Sequence, residues 1–163
     1  TLQLAKIAGA GTVVVTGLIK GRLSVAKSLG ADLTINVQRE DPVDIVRDLT
    51  EGYGADVVLE CSGSASAVRQ ALRLIKRGGV YTQIGLFGKP IEVDLDQIVY
   101  RELQVVGSFS QRWAAWERAL GLIGMGRIRL KPLVTHVFKL DEWMRGFEVV
   151  EKRAGIKVVL TPR

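Results

Sequence analysis

The sequence predicts an α/β fold, a doubly wound parallel sheet that is incomplete at its amino-terminal end. Short β-branched runs alternate with helical patterns along most of the 163 residues. This alternation is typical of right-handed crossovers that place helices on both faces of a parallel sheet. The glycine loop that should open such a sheet is absent, because Gly9-Ala-Gly11 is followed by Thr-Val-Val and Gly85-Leu-Phe-Gly88 has another spacing.

The elements follow one another in a regular order. The predicted strands, each an apolar or alternating run, cover residues 13–16, 33–36, 56–60, 80–84, 103–107, 134–138 and 156–160. The predicted helices, each with apolar residues at helical spacing, cover residues 1–8, 22–29, 41–50, 64–76, 112–124 and 142–152.

Helix boundaries are marked by residues that suit them. Asp41-Pro42 places a proline near the first turn of a helix, Ser64 or Ser66 can cap the next helix, and Asp141 can cap the last. Gly124-Met-Gly126, followed by Pro132, is the one plausible hinge. We therefore expect a first domain over residues 1–126 and a carboxyl-terminal tail over residues 127–163.

Composition indicates a soluble, cytoplasmic protein. Apolar residues make up 47% and charged residues 25%, and the apolar runs are too short to span a bilayer. Residues 1–20 do not have the pattern of a signal peptide. The single cysteine, Cys61, excludes an internal disulfide framework, and its apolar neighbours predict a small buried side chain.

The net charge of +6 raises the possibility of a nucleic-acid ligand. Lysines and arginines are scattered, however, and no basic stretch alternates with aromatic residues. The sequence thus gives no support for nucleic-acid binding, and the charge suits solubility or a small anionic ligand.

The strand at 13–16 and the helix that ends at Gly30 have the pattern of the second strand and helix of a Rossmann-type dinucleotide-binding fold. In that fold a carboxylate after the second strand binds the free 2′-OH of NAD and repels the 2′-phosphate of NADP. Gly17 stands in that region, followed by the cations Lys20 and Arg22. This leans toward NADP over NAD, with Lys20 and Arg22 as candidate phosphate contacts.

Two glycine turns follow neighbouring strands at the edge where ligands bind in such sheets. Ser62-Gly63 comes after the third predicted strand, and Gly85 comes after the fourth. Glycine allows close approach of a flat ring, and both residues are also ordinary turn formers. Glu60 lies either at a strand end near ligand or in a pair with a cation, and the lone His136 is interpreted as structural.

In order and spacing, the chain resembles the zinc-type medium-chain alcohol, sorbitol and threonine dehydrogenases. The matching segments are Leu4-Ala-Lys-x-x-Gly9, Val-Val-Thr-Gly17, Arg22-Leu-x-x-Ala-Lys-x-Leu-Gly-Ala-Asp32, Gly54-Ala-Asp-Val-Val58, Glu60-Cys-Ser-Gly63, Gly78-Gly79 with Gly85, Val106-Gly-Ser-Phe109 and Ile156-Lys-Val-Val-Leu-Thr161. They run over nearly the whole chain.

The resemblance implies specific roles for five further positions. Ser62 and Gly63 would flank the cofactor, and Ile84 and Leu86 would offer backbone groups to the nicotinamide carboxamide. Ser110 would lie nearby.

The resemblance also implies a wider architecture. Lys157 would reach the pyrophosphate, and zinc would be held only by a catalytic domain upstream of this chain. Members of this family pair through the segment from Pro90 to Gly107, which implies a homodimer or tetramer.

The resulting hypothesis is the cofactor-binding portion of an NAD(P)-dependent, zinc-type dehydrogenase of a small alcohol or polyol, with no catalytic residue and no metal ligand in this chain. Two alternatives stay open. One is a module that binds a nucleotide or dimerises without chemistry of its own. The other is a zinc-free quinone or enoyl reductase of the same superfamily.

Overall fold

The computed structural model describes residues 1–162. The helices are α1 (Leu2–Ile7), α2 (Lys20–Ser28), α3 (Pro42–Leu49), α4 (Ala65–Leu74), α5 (Asp96–Tyr100), α6 (Trp113–Gly124) and α7 (Trp143–Glu151), with short 3-10 turns at Lys131–Leu133 and Leu140–Glu142. The strands are β1 (Val14–Gly17), β2 (Leu33–Asn36), β3 (Ala55–Glu60), β4 (Ile75–Gln83), β5 (Gln104–Gly107), β6 (Val134–Lys139) and β7 (Lys157–Thr161).

Every strand pairing among these residues is parallel. β1 pairs with β2, β4 lies between β3 and β5, and β6 pairs with β7. The parallel pairs are connected through helices, as the alternating sequence pattern requires. The predicted α/β class is therefore confirmed.

All seven predicted strands and all six predicted helices exist, with two differences. The helix expected to reach residue 76 ends at Leu74, and β4 begins at Ile75. α5 was not predicted, because its five residues are too few to show a helical period.

The chain forms two compact units. One contains residues 1–36 together with residues 113–162, and the other contains residues 37–112. The division expected from the Gly124–Gly126 hinge, into residues 1–126 and 127–163, stays a prediction. None of the helices in residues 1–162 is long and apolar enough to cross a membrane.

In the unit of residues 37–112, α4 packs its apolar side against β3 and β4. The buried side chains of this core are Val68, Ala71, Leu72, Ile75, Tyr81 and Leu103. α3 begins at Pro42, as the proline predicted, and Asp41 caps it by accepting a hydrogen bond from the Val43 N–H at 3.0 Å.

The two predicted caps differ from expectation. Ser64 occupies the cap position of α4, but its hydroxyl lies 2.8 Å from that of Ser66 and makes no capping hydrogen bond. Asp141 lies in a 3-10 turn, and Glu142 takes the cap position of α7. The sequence located these helix starts to within one residue but not the hydrogen bonds that satisfy them.

In the other unit, Asp32 fixes the start of β1. Its carboxylate accepts a hydrogen bond from the Val13 N–H at 2.6 Å and is paired with the ammonium group of Lys6 at the end of α1. These interactions hold the pKa of Asp32 below its ordinary value. The Gly30-Ala-Asp32 segment thus connects α1, the end of α2 and the β1–β2 pair.

Candidate functional site

The carboxyl end of β3 carries a buried carboxylate. Glu60 is 4% exposed, and it is the one charged side chain among the core residues of the described chain. Its carboxylate accepts hydrogen bonds from the Ser62 N–H at 2.8 Å, the Gly63 N–H at 3.0 Å, the Ser62 hydroxyl and the Gln83 side-chain amide at 2.8 Å. Of the two possibilities that the sequence left open for Glu60, the structure shows the strand-end position rather than a pair with a cation.

The charge of Glu60 is stabilised by these donors. Burial by itself raises the pKa of the carboxyl group, but the hydrogen bonds from Ser62, Gly63 and Gln83 outweigh burial and leave the pKa below its ordinary value of 4.5. Glu60 is therefore ionised at neutral pH and acts only as an acceptor.

Glu60, Ser62, Gly63 and Gln83 form a hydrogen-bonded group, the Glu60 cluster, which Gln83 extends to the next strand. Gln83 lies opposite Glu60 in the β3–β4 register, and its amide N–H group also donates to the Gly85 carbonyl at 2.6 Å. The Tyr81 hydroxyl, two residues earlier on β4, donates to the side-chain oxygen of Gln83. Burial and the nearby charge of Glu60 raise the pKa of Tyr81 to about 12, so the phenol stays protonated as a donor.

Gly63 and Gly85 lie against each other. A Cβ built at Gly85 would be 2.1 Å from the Gly63 nitrogen and 2.6 Å from a Glu60 carboxylate oxygen. A Cβ at Gly63, where φ is +66°, would be 2.2 Å from the Leu86 carbonyl oxygen. Both glycines are thus required by contact between the two turns, which is a packing role additional to the proposed approach of a ligand.

The backbone groups proposed for the carboxamide flank this contact. The N–H groups of Ile84 and Gly85 donate to the Glu60 carbonyl at 2.8 and 3.0 Å, so the Ile84 N–H is already used and its carbonyl is the group that it can offer. Leu86 is 73% exposed.

Ser110 follows β5 with a left-handed backbone at φ +56°. Its hydroxyl lies 3.2 Å from the Gln111 side-chain oxygen. Within the described residues, no hydrogen bond connects Ser110 to the Glu60 cluster.

The other predicted contacts lie in the unit of residues 1–36 and 113–162. Gly17 ends β1, and Lys20 and Arg22 lie in the first turn of α2. The Arg22 guanidinium donates to the Gly155 carbonyl at 2.7 Å, two residues before Lys157 at the start of β7. The structure therefore brings Arg22 close to the segment that carries Lys157, which the sequence did not predict.

A side chain at Gly17 would meet one neighbour. A Cβ there lies 3.3 Å from a terminal carbon of Leu23, which is tighter than ordinary contact. This neighbour is the end of a side chain and not backbone, and a shift of Leu23 by a few tenths of an ångström would restore ordinary contact. Packing therefore does not strictly require glycine at position 17, whereas it does at position 85.

The remaining chemistry-bearing side chains do not assemble into a site. Within residues 1–162, no group of three or more His, Cys, Asp or Glu side chains could hold a metal ion. Cys61 is exposed, so the prediction of a buried thiol was wrong: β3 ends at Glu60, and Cys61 lies in the bend that follows.

Sequence reasoning missed Gln83 and Tyr81. Both lie on one face of β4, two residues apart, and Gln83 stands opposite Glu60. A signal was present, since polar residues at alternate positions near the end of a buried strand need partners. The strand register that pairs them was not visible in the sequence.

Comparison with known proteins agrees with this architecture. A family model described as zinc-binding dehydrogenase matches residues 1–124. The chain is 44% identical over 163 residues to a sorbitol dehydrogenase of Halalkalibacterium halodurans, covering 98% of this chain and 47% of that protein. It is 39% identical to an L-threonine 3-dehydrogenase of Symbiobacterium thermophilum, covering 99% and 47% respectively.

Solved structures give the same result. An alcohol dehydrogenase from a Thermus species superposes with a TM-score of 0.90 at 30% identity, covering 99% of this chain and 47% of that one. A zinc-binding dehydrogenase of Sinorhizobium meliloti bound to NADP superposes with a TM-score of 0.87 at 32% identity, covering 99% and 48%. The chain thus spans about half the length of the relatives that it matches. It belongs to the zinc-binding dehydrogenase family and corresponds to the cofactor-binding half of the medium-chain dehydrogenases.

Proposed function

We propose that this chain binds NAD or NADP as the cofactor-binding part of a zinc-type alcohol or polyol dehydrogenase. The observation that supports it most directly is the junction of two glycine turns at the carboxyl ends of β3 and β4, held by the buried Glu60 carboxylate. Ligands of open parallel sheets bind outside these strand ends.

The nicotinamide end would lie at these turns. When bound, the nicotinamide ring would supply the group that exchanges a hydride with the substrate carbon. The chain's own contribution is to orient the ring, through the Ile84 carbonyl and the backbone of Leu86, next to Ser62 and Gly63. Two turns fixed by internal hydrogen bonds offer these groups without further ordering on binding.

The phosphate groups would be bound by cations. Lys20, Arg22 and Lys157 are exposed, and their charge suits a pyrophosphate or a 2′-phosphate. Arg22 uses one guanidinium nitrogen on the Gly155 carbonyl, and the other N–H groups of its five are available to a ligand. With Gly17 at the strand end and no acidic residue in the stretch 17–22 that follows, we expect a preference for NADP.

Titration of the complete protein that contains this chain with NADPH and NADH, followed by cofactor fluorescence, tests the proposal. We expect saturable binding, and we expect replacement of Lys157 by Gln to raise the dissociation constant about tenfold, equivalent to about 1.4 kcal/mol. Lys139→Gln is the matched control, since Lys139 is an exposed lysine on the neighbouring strand β6.

If neither NADPH nor NADH binds, the proposal is refuted. Equal effects of Lys139→Gln and Lys157→Gln would refute the role of Lys157, because a general loss of positive charge would then account for both.

A further inference from the structure

The side chain of Glu60 makes its hydrogen bonds outside its own strand, β3. A buried charge is stabilising only when donors surround it, and an apolar side chain of similar size often serves the core as well. All the side-chain hydrogen bonds of Glu60 run to residues outside β3: the Ser62–Gly63 turn and Gln83 at the end of β4. The carboxylate thus connects the ends of two strands.

The second strand end is held through Gln83. Its amide N–H group donates both to Glu60 and to the Gly85 carbonyl, so one side chain joins the carboxylate to the second turn. The Tyr81 hydroxyl occupies the amide oxygen of Gln83. This hydrogen bond directs the amide nitrogen toward Glu60 and Gly85, because an oxygen cannot donate to either.

We propose that Glu60 is the positioning residue for the nicotinamide end of the cofactor. Its carboxylate fixes the Ser62–Gly63 turn directly and the Gly85 turn through Gln83, and so sets the spacing of the backbone groups of Ile84 and Leu86. The inference rests on the proposed cofactor binding, to which it adds the residue that shapes the nicotinamide contact.

The substitution Glu60→Gln separates this role from simple packing. Gln keeps the volume and one acceptor oxygen for Ser62, but it places an amide nitrogen where an oxygen now accepts from Gly63 and Gln83. Two sets of donors would then face each other, and the turns would move apart.

Asp56→Asn is the matched control, because it removes the same charge from the same strand. Asp56 lies at the other end of β3, its side chain is 81% exposed, and its ion-pair partner is Lys76.

The experiment measures dissociation constants of the complete protein for NADPH, NADH and ADP-ribose, which carries every part of NAD except the nicotinamide ring. We expect Glu60→Gln to raise the constants for NADPH and NADH at least tenfold and to change that for ADP-ribose less than twofold. Asp56→Asn should change none of them by more than twofold.

Two results would overturn the inference: equal weakening of all three ligands, which indicates a general structural role, or no weakening of any. If Glu60→Gln fails to fold, Gln83→Met provides the same comparison, since it removes the link to Gly85 and leaves Glu60 bonded to its own turn. If the wild-type protein binds ADP-ribose, NADH and NADPH but the variants show none of these differences, only the role of Glu60 is disproved. A wild-type protein that binds no cofactor disproves the proposed function itself.

Discussion

Replacement of Gly85 by Ala tests the contact between the two turns. The added Cβ would lie 2.1 Å from the Gly63 nitrogen, and ordinary contact begins at 3.4 Å, so the backbone of one turn must move by about 1.3 Å. Overpacking typically costs about 1–3 kcal/mol. The shift also weakens the hydrogen bond from the Gly63 N–H to the Glu60 carboxylate, and a hydrogen bond to a charged group contributes about 1.5–3 kcal/mol. We expect the free energy of unfolding to fall by about 2.5–6 kcal/mol in total.

Urea denaturation of the complete protein, followed by circular dichroism, measures this change. Gly107→Ala is the matched control: Gly107 ends β5 in the same sheet, its φ is not left-handed, and a Cβ there meets nothing within 4 Å. The reasoning is refuted if Gly85→Ala and Gly107→Ala differ by less than about 1 kcal/mol, the lower end of the overpacking range. A loss of cofactor binding with unchanged stability would instead show that Gly85 serves the ligand alone.

Three other changes have defined outcomes. Gly17→Asp should weaken NADPH binding and leave NADH binding unchanged or stronger, since a carboxylate there repels a 2′-phosphate, and titration with both cofactors measures it. Because hydrogen bonds lower the pKa of Glu60 in the folded state, its stabilisation is complete above the ordinary value of 4.5 and is lost as the pH falls through the lowered pKa. The difference in unfolding free energy between wild type and Glu60→Gln should therefore shrink from pH 7 to pH 3, and a constant difference would contradict this. Tyr81→Phe should lower stability by about 1 kcal/mol, the net contribution of one hydrogen bond, and should remove the tyrosine that titrates near pH 12 in ultraviolet absorbance.

Most of the fold could be predicted from the sequence because the hydrophobic period and the residue composition of a segment are local properties. A β-branched run such as Val13-Val-Val favours a strand, and Asp41-Pro42 marks a helix start without reference to the rest of the chain. The start of β4 was missed because Leu72 and Ile75 are spaced as on a helix, although the backbone turns extended at Ile75. Extension there is imposed by pairing with β3, a partner about 20 residues away.

The candidate site was predictable only in part, for the same reason. Ser62, Gly63 and Gly85 could be identified as strand-end turns, since each follows a run that indicates a strand. That Gly63 and Gly85 touch, and that Gln83 stands opposite Glu60, depends on the register between β3 and β4. No local pattern encodes that register.

The contact between the glycines changes what a mutation can show about ligand binding. In a sheet of this kind, a glycine after a strand is readily attributed to the ligand, because ligands bind at that edge. Here the space beside Gly85 is filled by the protein itself, so loss of cofactor binding in a Gly85 or Gly63 variant follows equally from displaced turns. Gly17 is different, since a Cβ there meets only the end of the Leu23 side chain, at 3.3 Å, and no backbone atom. A change of cofactor preference at Gly17 can therefore be attributed to the ligand, whereas the role of the two turns must be established by comparing ligands with and without the nicotinamide ring.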